Sequence, residues 1–285
     1  MRSHLVSRRM LRTASTLTLA LGAGLALPTA LATTAGAAES SATAEVNSSG
    51  WELSYTAAAG QMNNVLVDES FTDGSKETIT YVIEDVVPIS AGNGCVHPDP
   101  ADRAKVSCTV AALDSQSPYA TMRMDLGDVW DSVAITNSTD QAFHTNAIDL
   151  GPGNDRLTHT GPVDGNAVRG GAGDDIITAG VAAMVFGDDG NDTITTNGDI
   201  TQGGAGNDLI QGGPDTQFLY GDDGNDTLRG GDGDDLLYGG RGNDILYGDS
   251  GFDQIWGNTG DDELYGGPDT DTLSGGAGRN IVVQD

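Results

Sequence analysis

The segment from Gly203 to Val283 is a tandem repeat of nine residues, and it constrains the fold of this chain more than any other feature. Nine units follow one another without a gap. Column one is always glycine, column four is glycine or aspartate, and column six is aspartate except at Gln217 and Asn280. Column eight is always aliphatic. Such a repeat is typical of a solenoid, in which each unit buries its apolar face only against its neighbours.

The columns predict a tight turn followed by a short strand. Glycines at columns one, two and four permit positive φ at little steric cost. Three residues remain for the strand, and the middle one, column eight, points to one face. Two units then form one coil, so that strands stack in two parallel sheets. The sequence therefore predicts an all-β protein with a parallel β-roll, whose core is formed by Ile210, Leu219, Leu228, Leu237, Leu246, Ile255, Leu264, Leu273 and Val282.

Column six falls into two rows, because turns two units apart lie on the same edge of such a roll. One row is Asp208, Asp226, Asp244, Asp262 and Asn280, and the other is Gln217, Asp235, Asp253 and Asp271. Neighbouring coils are about 4.8 Å apart. A cation at roughly 2.3–2.6 Å from a carboxylate oxygen above and another below fits that gap. Oxygen ligands without His or Cys favour calcium over zinc or copper.

The repeat resembles the haemolysin-type calcium-binding repeat, the RTX nonapeptide G-G-x-G-x-D-x-U-x. In that family the ion lies between two turns of one edge, held by column-six aspartates and by turn carbonyls. The resemblance implies a parallel β-roll with several Ca²⁺ ions, with the best sites between consecutive aspartates of each row. Gln217 and Asn280 depart from the pattern, and sites that involve them are expected to be weak or absent.

Residues 150–158, 170–178 and 187–195 also match the repeat, at wider intervals. These intervals approximate one full coil rather than half, which predicts one row of aspartates from Asp155 to Asp262 and ordinary turns on the opposite edge. The second row then begins only after Gln217. Residues 126–134 form a degraded copy, with Val129 where glycine is expected. The predicted metal ligands are Asp155, Asp175, Asp192, Asp208, Asp226, Asp235, Asp244, Asp253, Asp262 and Asp271.

The first 38 residues are predicted to be a secretory signal peptide rather than part of the fold. Four arginines precede an apolar run over residues 17–31, and the small residues 35–38 follow it. This order is typical of an exported chain cleaved near Ala37 or Ala38. The sequence therefore predicts a secreted, extracellular protein. No transmembrane segment is predicted after the leader.

Residues 39–149 are predicted to be a β-rich N-terminal domain that precedes the roll at 150–285. Period-two alternation indicates strands at 65–67, 78–83, 106–110, 120–126 and 133–135. In an exported protein, Cys95 and Cys108 are expected to form a disulfide, worth about 3 kcal/mol on the chain-entropy model. No C-x-x-C spacing supports a metal or redox role for them.

The charge of the chain argues against two classes of partner. After removal of the leader, nine Lys and Arg residues face 42 Asp and Glu residues, which gives a formal charge of −33. Such a surface disfavours nucleic acid and anionic membranes, so we expect neither nucleic-acid binding nor membrane insertion. The negative charges of this surface also repel one another until cations bind, which predicts that folding is coupled to calcium binding.

No catalytic constellation is recognisable in the sequence. The G-D-S-G stretch at residues 248–251 falls on columns one to four of a repeat, and no His lies in the regular repeats to activate Ser250. Neither H-E-x-x-H nor G-x-S-x-G occurs. We therefore expect no enzyme activity.

Aromatic residues in column nine suggest a second use for the roll. They recur every second unit, so they are expected to stack on the outer faces of the two sheets; they are Tyr220, Tyr238 and Trp256 on one sheet, and Tyr247 and Tyr265 on the other. Stacking that stiffens the roll explains them. The alternative is a stripe that contacts cell-wall polysaccharide or another roll.

The sequence thus predicts a secreted calcium-binding protein that folds on binding several Ca²⁺ ions. Two alternatives remain open at this stage. One is a cell-surface adhesin or matrix protein that uses the roll as a spacer, and the other is the non-catalytic tail of an exported hydrolase.

Overall fold

A computed structural model describes residues 40–113, 119–139, 144–161 and 165–284. The predicted signal peptide lies outside these residues. The described parts contain strands only, numbered β1 to β25 in chain order. The first nine are β1 (Ala42–Val46), β2 (Leu53–Thr56), β3 (Asn64–Phe71), β4 (Thr78–Glu84), β5 (Ile89–Ala91), β6 (Cys95–Val96), β7 (Lys105–Ala111), β8 (Tyr119–Asp125) and β9 (Ser132–Asn137).

The remaining strands are shorter on average and follow one another at regular intervals. They are β10 (His144–Pro152), β11 (Arg156–Thr160), β12 (Ala167–Ala172), β13 (Ile176–Ala179), β14 (Met184–Asp189), β15 (Thr193–Thr196), β16 (Ile200–Ala205), β17 (Leu209–Gln211), β18 (Phe218–Asp223), β19 (Thr227–Asp232), β20 (Leu236–Arg241), β21 (Ile245–Ser250), β22 (Gln254–Thr259), β23 (Glu263–Tyr265), β24 (Thr272–Ser274) and β25 (Ile281–Val283). Within the described residues, no helix is long and apolar enough to cross a bilayer.

Two sheets run along the whole described chain. The even-numbered strands from β8 to β24 lie side by side in one sheet, and the odd-numbered strands from β9 to β25 lie side by side in the other. Each pairs in parallel with its neighbour two strands on in the sequence, for example β18 with β20 and β19 with β21. Successive strands therefore alternate between the sheets. This arrangement confirms the predicted parallel β-roll.

In the regular repeats, β18 to β22 are six residues long rather than the predicted three, whereas β17 and β23 to β25 have three. β19 and β20 each run from column seven to column three and so include the glycine of column one. The pairing of β18 with β20 matches Tyr220 with Tyr238 and then Asp222 with Gly240, so the column-one glycines between them are left out of the register.

The core consists of column-eight side chains packed between the two sheets. Seven of them, from Ile210 to Leu264, are fully buried, as predicted. The last two differ: Leu273 is only partly buried, and Val282 is 48% exposed. The expectation that Val282 is buried was wrong because β25 is the outermost strand of its sheet and no neighbour covers it on that side.

The strands predicted in the N-terminal region are confirmed, and they extend the same two sheets. β2 joins β8 in one sheet and β3 joins β9 in the other, both in parallel. In the first sheet β1 then pairs antiparallel with β2 and parallel with β5, and in the second sheet β4 pairs antiparallel with both β3 and β7. The boundary predicted between residues 149 and 150 lies inside β10, and the division into two domains stays a prediction.

The predicted disulfide is confirmed. Cys95 on β6 and Cys108 on β7 face each other in antiparallel pairing and are bonded. Both side chains are buried in the core beside Val106 and Val110. The bond ties the outermost strand of this sheet to its neighbour and therefore protects an edge that would otherwise be free to pair.

The aromatic residues of column nine stack on the outside of the roll, as predicted. Tyr220 and Tyr238 have ring centroids 5.1 Å apart with an interplanar angle of 3°, and Tyr238 and Trp256 have centroids 4.6 Å apart at 6°. Tyr247 and Tyr265 form a matching stack, 5.0 Å apart, on the other sheet. Each inner ring has its faces covered by its neighbours, so the stacks mainly present ring edges to solvent.

We expect Leu237→Ala to destabilise the calcium-loaded protein by about 2–5 kcal/mol, because Leu237 is fully buried and the truncation leaves a cavity between the sheets. Val282→Ala is the matched control in the same column, and its exposure limits the loss to about 0.5 kcal/mol. Urea unfolding followed by circular dichroism measures both. Equal losses from the two variants would contradict the assignment of the core.

Candidate metal centre

The column-six aspartates form a continuous row along one edge of the roll. The backbone N–H of each donates to Oδ1 of the aspartate one coil further on, with N···O distances of 2.7–3.1 Å from Asp155 to Asp262. The bond from Asp175 to Asp192 places these two on the same edge, which confirms the single row predicted for the widely spaced copies. The backbone N–H of Asp262 ends the row on Oδ1 of Asn280.

A second row lies on the opposite edge and begins at Gln217, also as predicted. The backbone N–H of Gln217 donates to Oδ1 of Asp235 (2.8 Å), that of Asp235 to Asp253 (2.9 Å), and that of Asp253 to Asp271 (2.9 Å). Each Oδ1 therefore accepts a backbone hydrogen bond from the neighbouring coil.

The second carboxylate oxygen of these aspartates is buried and has no hydrogen-bond partner. This holds for Oδ2 of Asp155, Asp175, Asp192, Asp208, Asp226, Asp235, Asp244, Asp253 and Asp262, whose residues are all at most 3% exposed. A buried carboxylate oxygen without a partner is costly, since its interactions with water are lost and not replaced. Each such oxygen therefore requires a proton or a cation.

At every one of these orphaned oxygens except that of Asp155, a backbone carbonyl oxygen also lies beside the glycine of column one. A Cβ atom placed on Gly239 would lie within 3.0 Å of both Asp244 Oδ2 and the carbonyl oxygen of Gly257, the column-one glycine of the next coil. We call this pair of oxygens beside a column-one glycine the oxygen cradle. Both oxygens lie beside the same glycine, so each of these turns brings together a carboxylate and a carbonyl oxygen, the ligand types that Ca²⁺ takes at roughly 2.3–2.6 Å.

The column-one glycines are required for space rather than for conformation, so the prediction of positive φ in this column was wrong. Gly239 and Gly248 do not have positive φ, whereas Gly240 and Gly242, in columns two and four of the same repeat, have φ values of 115° and 122°. The interior-facing hydrogen of a column-one glycine borders the cradle. Any larger side chain would displace the oxygens.

Eight of the ten predicted ligands have a complete cradle. They are Asp175, Asp192, Asp208, Asp226, Asp235, Asp244, Asp253 and Asp262, each with the carbonyl oxygen of a glycine in the next coil. Asp271 lies in an outermost turn, and its Oδ2 accepts a hydrogen bond from Gln284 Nε2 (2.8 Å). At Asp155, column one is occupied by Leu150, which is fully buried.

The two neutral positions use their amides within the turn. Gln217 Oε1 accepts a hydrogen bond from the backbone N–H of Gly213 (3.0 Å), and its Nε2 donates to the carbonyl of Asp215. Asn280 turns its Nδ2 toward Gly275, where an aspartate would place an oxygen. Both amides thus satisfy polar groups without an ion.

Burial raises the pKa of the buried row aspartates above their ordinary value of 3.8. The pKa values of Asp175, Asp226 and Asp235 rise to about 7, and those of Asp192 and Asp244 rise to about 6. Desolvation is the main cause in each, and repulsion from the carboxylates of neighbouring coils adds to it. The metal-free roll therefore holds these carboxylates in surroundings that resist their ionisation.

Sequence reasoning missed a further row of hydrogen bonds, which is formed by the side chains of column five. Asn207 Oδ1 accepts the backbone N–H of Asn225 (2.9 Å), and Asn225 Oδ1 accepts that of Asn243 (2.8 Å). The side-chain amides add bonds along the row, from Asn225 Nδ2 to Asn207 Oδ1 (3.0 Å). Asp174 and Asp261 take the same role in other coils. The recurrence of Asn in column five was the available signal.

The column-six row also begins earlier than predicted. The backbone N–H of Asp131 donates to Asp155 Oδ1 (2.6 Å), and the backbone N–H of Asn63 donates to Asp131 Oδ1 (2.6 Å). The degraded copy at residues 126–134 therefore forms a true turn of the row. Val129, where glycine was expected, adopts a φ of 75°.

The fold and these turns define a parallel β-roll whose edges are lined with buried carboxylate oxygens that require a proton or a cation. The family model of the RTX calcium-binding nonapeptide repeat matches residues 164–182, 195–216, 212–246, 220–255 and 247–282. The repeat region therefore consists of RTX calcium-binding repeats, and the protein binds several Ca²⁺ ions through a calcium-binding β-roll. A search of curated proteins gave no match to the chain.

The observed cradles fit calcium. Carboxylate and carbonyl oxygens are the ligands that Ca²⁺ prefers, and neither His nor Cys lies at these turns. No group of three or more His, Cys, Asp or Glu side chains capable of holding a metal occurs in the described residues. Backbone carbonyls therefore have to complete each ligand set. RTX repeats of this kind are a non-catalytic structural module.

We expect Gly239→Ala to remove one bound calcium ion, because the added Cβ would displace Asp244 Oδ2 and the Gly257 carbonyl. Gly74→Ala is the control, since a Cβ there meets no atom within 4 Å. Equilibrium dialysis with ⁴⁵Ca counts the ions. An unchanged count for Gly239→Ala would rule out the cradle.

We expect acid to stabilise the calcium-free protein. The pKa values of Asp175, Asp226 and Asp235 are about 7 in the fold and near 3.8 when unfolded, so the folded state binds more protons between these values. Its free energy of unfolding therefore falls as pH rises from about 4 to about 7. Thermal unfolding in chelator across this range tests the sign, and a melting temperature that rises with pH would contradict it.

Proposed function

We propose that this protein is a secreted, non-enzymatic calcium-binding protein whose roll folds when it binds calcium outside the cell. The observation that carries the proposal is the row of buried Oδ2 atoms without partners, each beside a glycine carbonyl of the next coil. Such a row is unfavourable in a metal-free roll at neutral pH and favourable once a divalent cation neutralises it.

The ligands we propose are the eight aspartates with complete cradles. Each supplies Oδ2 to its own cradle while Oδ1 holds the backbone N–H of the preceding coil, so an ion at Asp244 secures Asp226 as well. Calcium supplies the positive charge that these buried carboxylates lack. Binding to the folded state alone stabilises it by about 2.7 kcal/mol per site at a hundredfold excess over Kd.

Secretion is consistent with this mechanism. Calcium is scarce in the cytosol, where the acidic repeats would stay expanded through their own repulsion. The leader-like segment at residues 1–38 and the disulfide between Cys95 and Cys108 both suit an exported chain. Export of an unfolded chain followed by calcium-driven folding accounts for the acidic repeats, the leader-like segment and the disulfide.

Neither Tyr238 nor Tyr247 supports the alternative of a polysaccharide-binding adhesin. Sugars pack on ring faces, whereas both faces of Tyr238 are covered by Tyr220 and Trp256. Arg229 covers Tyr247 on the second sheet, 5.1 Å from its ring centroid. These rings are better explained as cross-strand contacts that stiffen the roll.

We expect calcium to increase the β-sheet signal in far-UV circular dichroism cooperatively, and magnesium not to, because Mg²⁺ demands a tighter octahedral geometry than turn carbonyls offer. The titration uses the chain without its leader, in metal-free buffer at neutral pH. Asp244→Asn should weaken the response, whereas Asp232→Asn, which alters an exposed column-three aspartate on the opposite edge, should not. A full β spectrum in chelator would overturn folding on binding.

A further inference from the structure

Column one changes from leucine to glycine between two neighbouring coils of the same sheet. Strand pairing places Leu126, Leu150 and Gly170 at the same position of three successive coils. Gly187 follows them in the next coil. The glycine that borders each oxygen cradle further along the roll is therefore replaced by leucine in the first two turns of the row.

Both leucines point into the roll and are fully buried. In the next coil, a Cβ on Gly170 would lie within 3.0 Å of Asp175 Oδ2 and of the Gly187 carbonyl oxygen, an approach that real Cβ atoms do not make. A leucine has a Cβ at that point, with three further carbons beyond it. The cradle geometry of the glycine coils therefore cannot exist at Leu126 or Leu150.

The rest of the turn is retained in the leucine coils. Asp131 and Asp155 accept the backbone N–H groups of the preceding turn at 2.6 Å, as the later aspartates do. Gly151 keeps the positive φ of column two, at 87°. Oδ2 of both aspartates is also buried without a partner, and by the same requirement it takes a proton where no cation binds. The leucine in column one is thus the difference from the calcium turns that both of these turns share.

We propose that Leu126 and Leu150 replace the calcium ion in these two turns, so that the coils of Asp131 and Asp155 bind no calcium and fold without it. The proposal rests on calcium binding by the glycine coils, as set out above. Leucine carbons fill the interior that an ion and its oxygens fill elsewhere, and the hydrogen bonds through Oδ1 hold both kinds of turn alike.

The strands beside the leucine coils are held together by backbone pairing and a disulfide rather than by an ion. Antiparallel pairs β1–β2 and β3–β4–β7 lie beside them, and a disulfide joins β6 to β7. The match to the RTX repeat begins at residue 164, after Leu150. The calcium-independent end then offers β10 and β11 as preformed edges on which β12 and β13 pair when calcium arrives.

Counting bound ions tests the proposal directly. Equilibrium dialysis with ⁴⁵Ca compares the full chain with Asp155→Asn and Asp175→Asn. We expect Asp175→Asn to bind one ion fewer and Asp155→Asn to bind as many as the unaltered chain. Loss of an ion from Asp155→Asn would overturn the proposal, whereas failure of the unaltered chain to bind any ion would overturn the proposed function instead.

Leu150→Gly and Leu150→Ala form a matched pair of variants. Both remove the isobutyl packing, but only glycine also removes the Cβ that blocks the cradle. We expect Leu150→Gly to bind one additional calcium ion and Leu150→Ala to bind none in addition. An extra ion in both variants would show that Cβ does not control binding and would contradict the role of column one.

Hydrogen exchange in chelator tests the folding step without counting ions. We expect backbone amides of β3, β4 and β7–β9 to stay at least 100-fold more protected than those of β18–β23, and calcium to remove the difference. Uniformly rapid exchange along the whole chain would overturn a calcium-independent end. Uniformly slow exchange would contradict folding on binding, and it would therefore overturn the proposed function rather than this inference.

Discussion

The burial of a carboxylate oxygen without a protein partner is the constraint on which the repeat region depends. Oδ1 of Asp226 fixes the turn before it, and that bond forces Oδ2 into the interior beside Gly221. An interior carboxylate oxygen is tolerable only when it is protonated or bound to a cation. The glycine, the aspartate and the ion therefore belong to one arrangement, and the strictness of columns one and six follows from it.

Several rows of repeated contacts hold neighbouring coils in register. Backbone N–H groups of column six donate forward to the next coil, whereas those of column five donate back to the previous one. Aliphatic side chains fill the interior and stacked rings cover parts of the exterior. Because each row repeats only at its own column, a slip of one residue would break all of them together.

Much of the fold could be predicted from the sequence because its signals are periodic. The aliphatic column identified the core, and the spacing of Asp155, Asp175 and Asp192 was sufficient to place them on one edge. The function of Gly239 could not be predicted, since a glycine needed for positive φ and one needed for close approach look the same in a sequence. The turn at Asp131 was obscured by Val129, which adopts a glycine-like conformation.

The alternation of the two edges sets rules for changes in the length of such a chain. Removing eighteen residues, for example 221–238, would join like edges and shorten the roll by one coil. Removing nine, for example 230–238, would exchange the edges, so that the aspartates after the deletion would change rows and Asn243 would lose its partner Asn225. Natural or engineered variation in roll length is therefore confined to pairs of repeats.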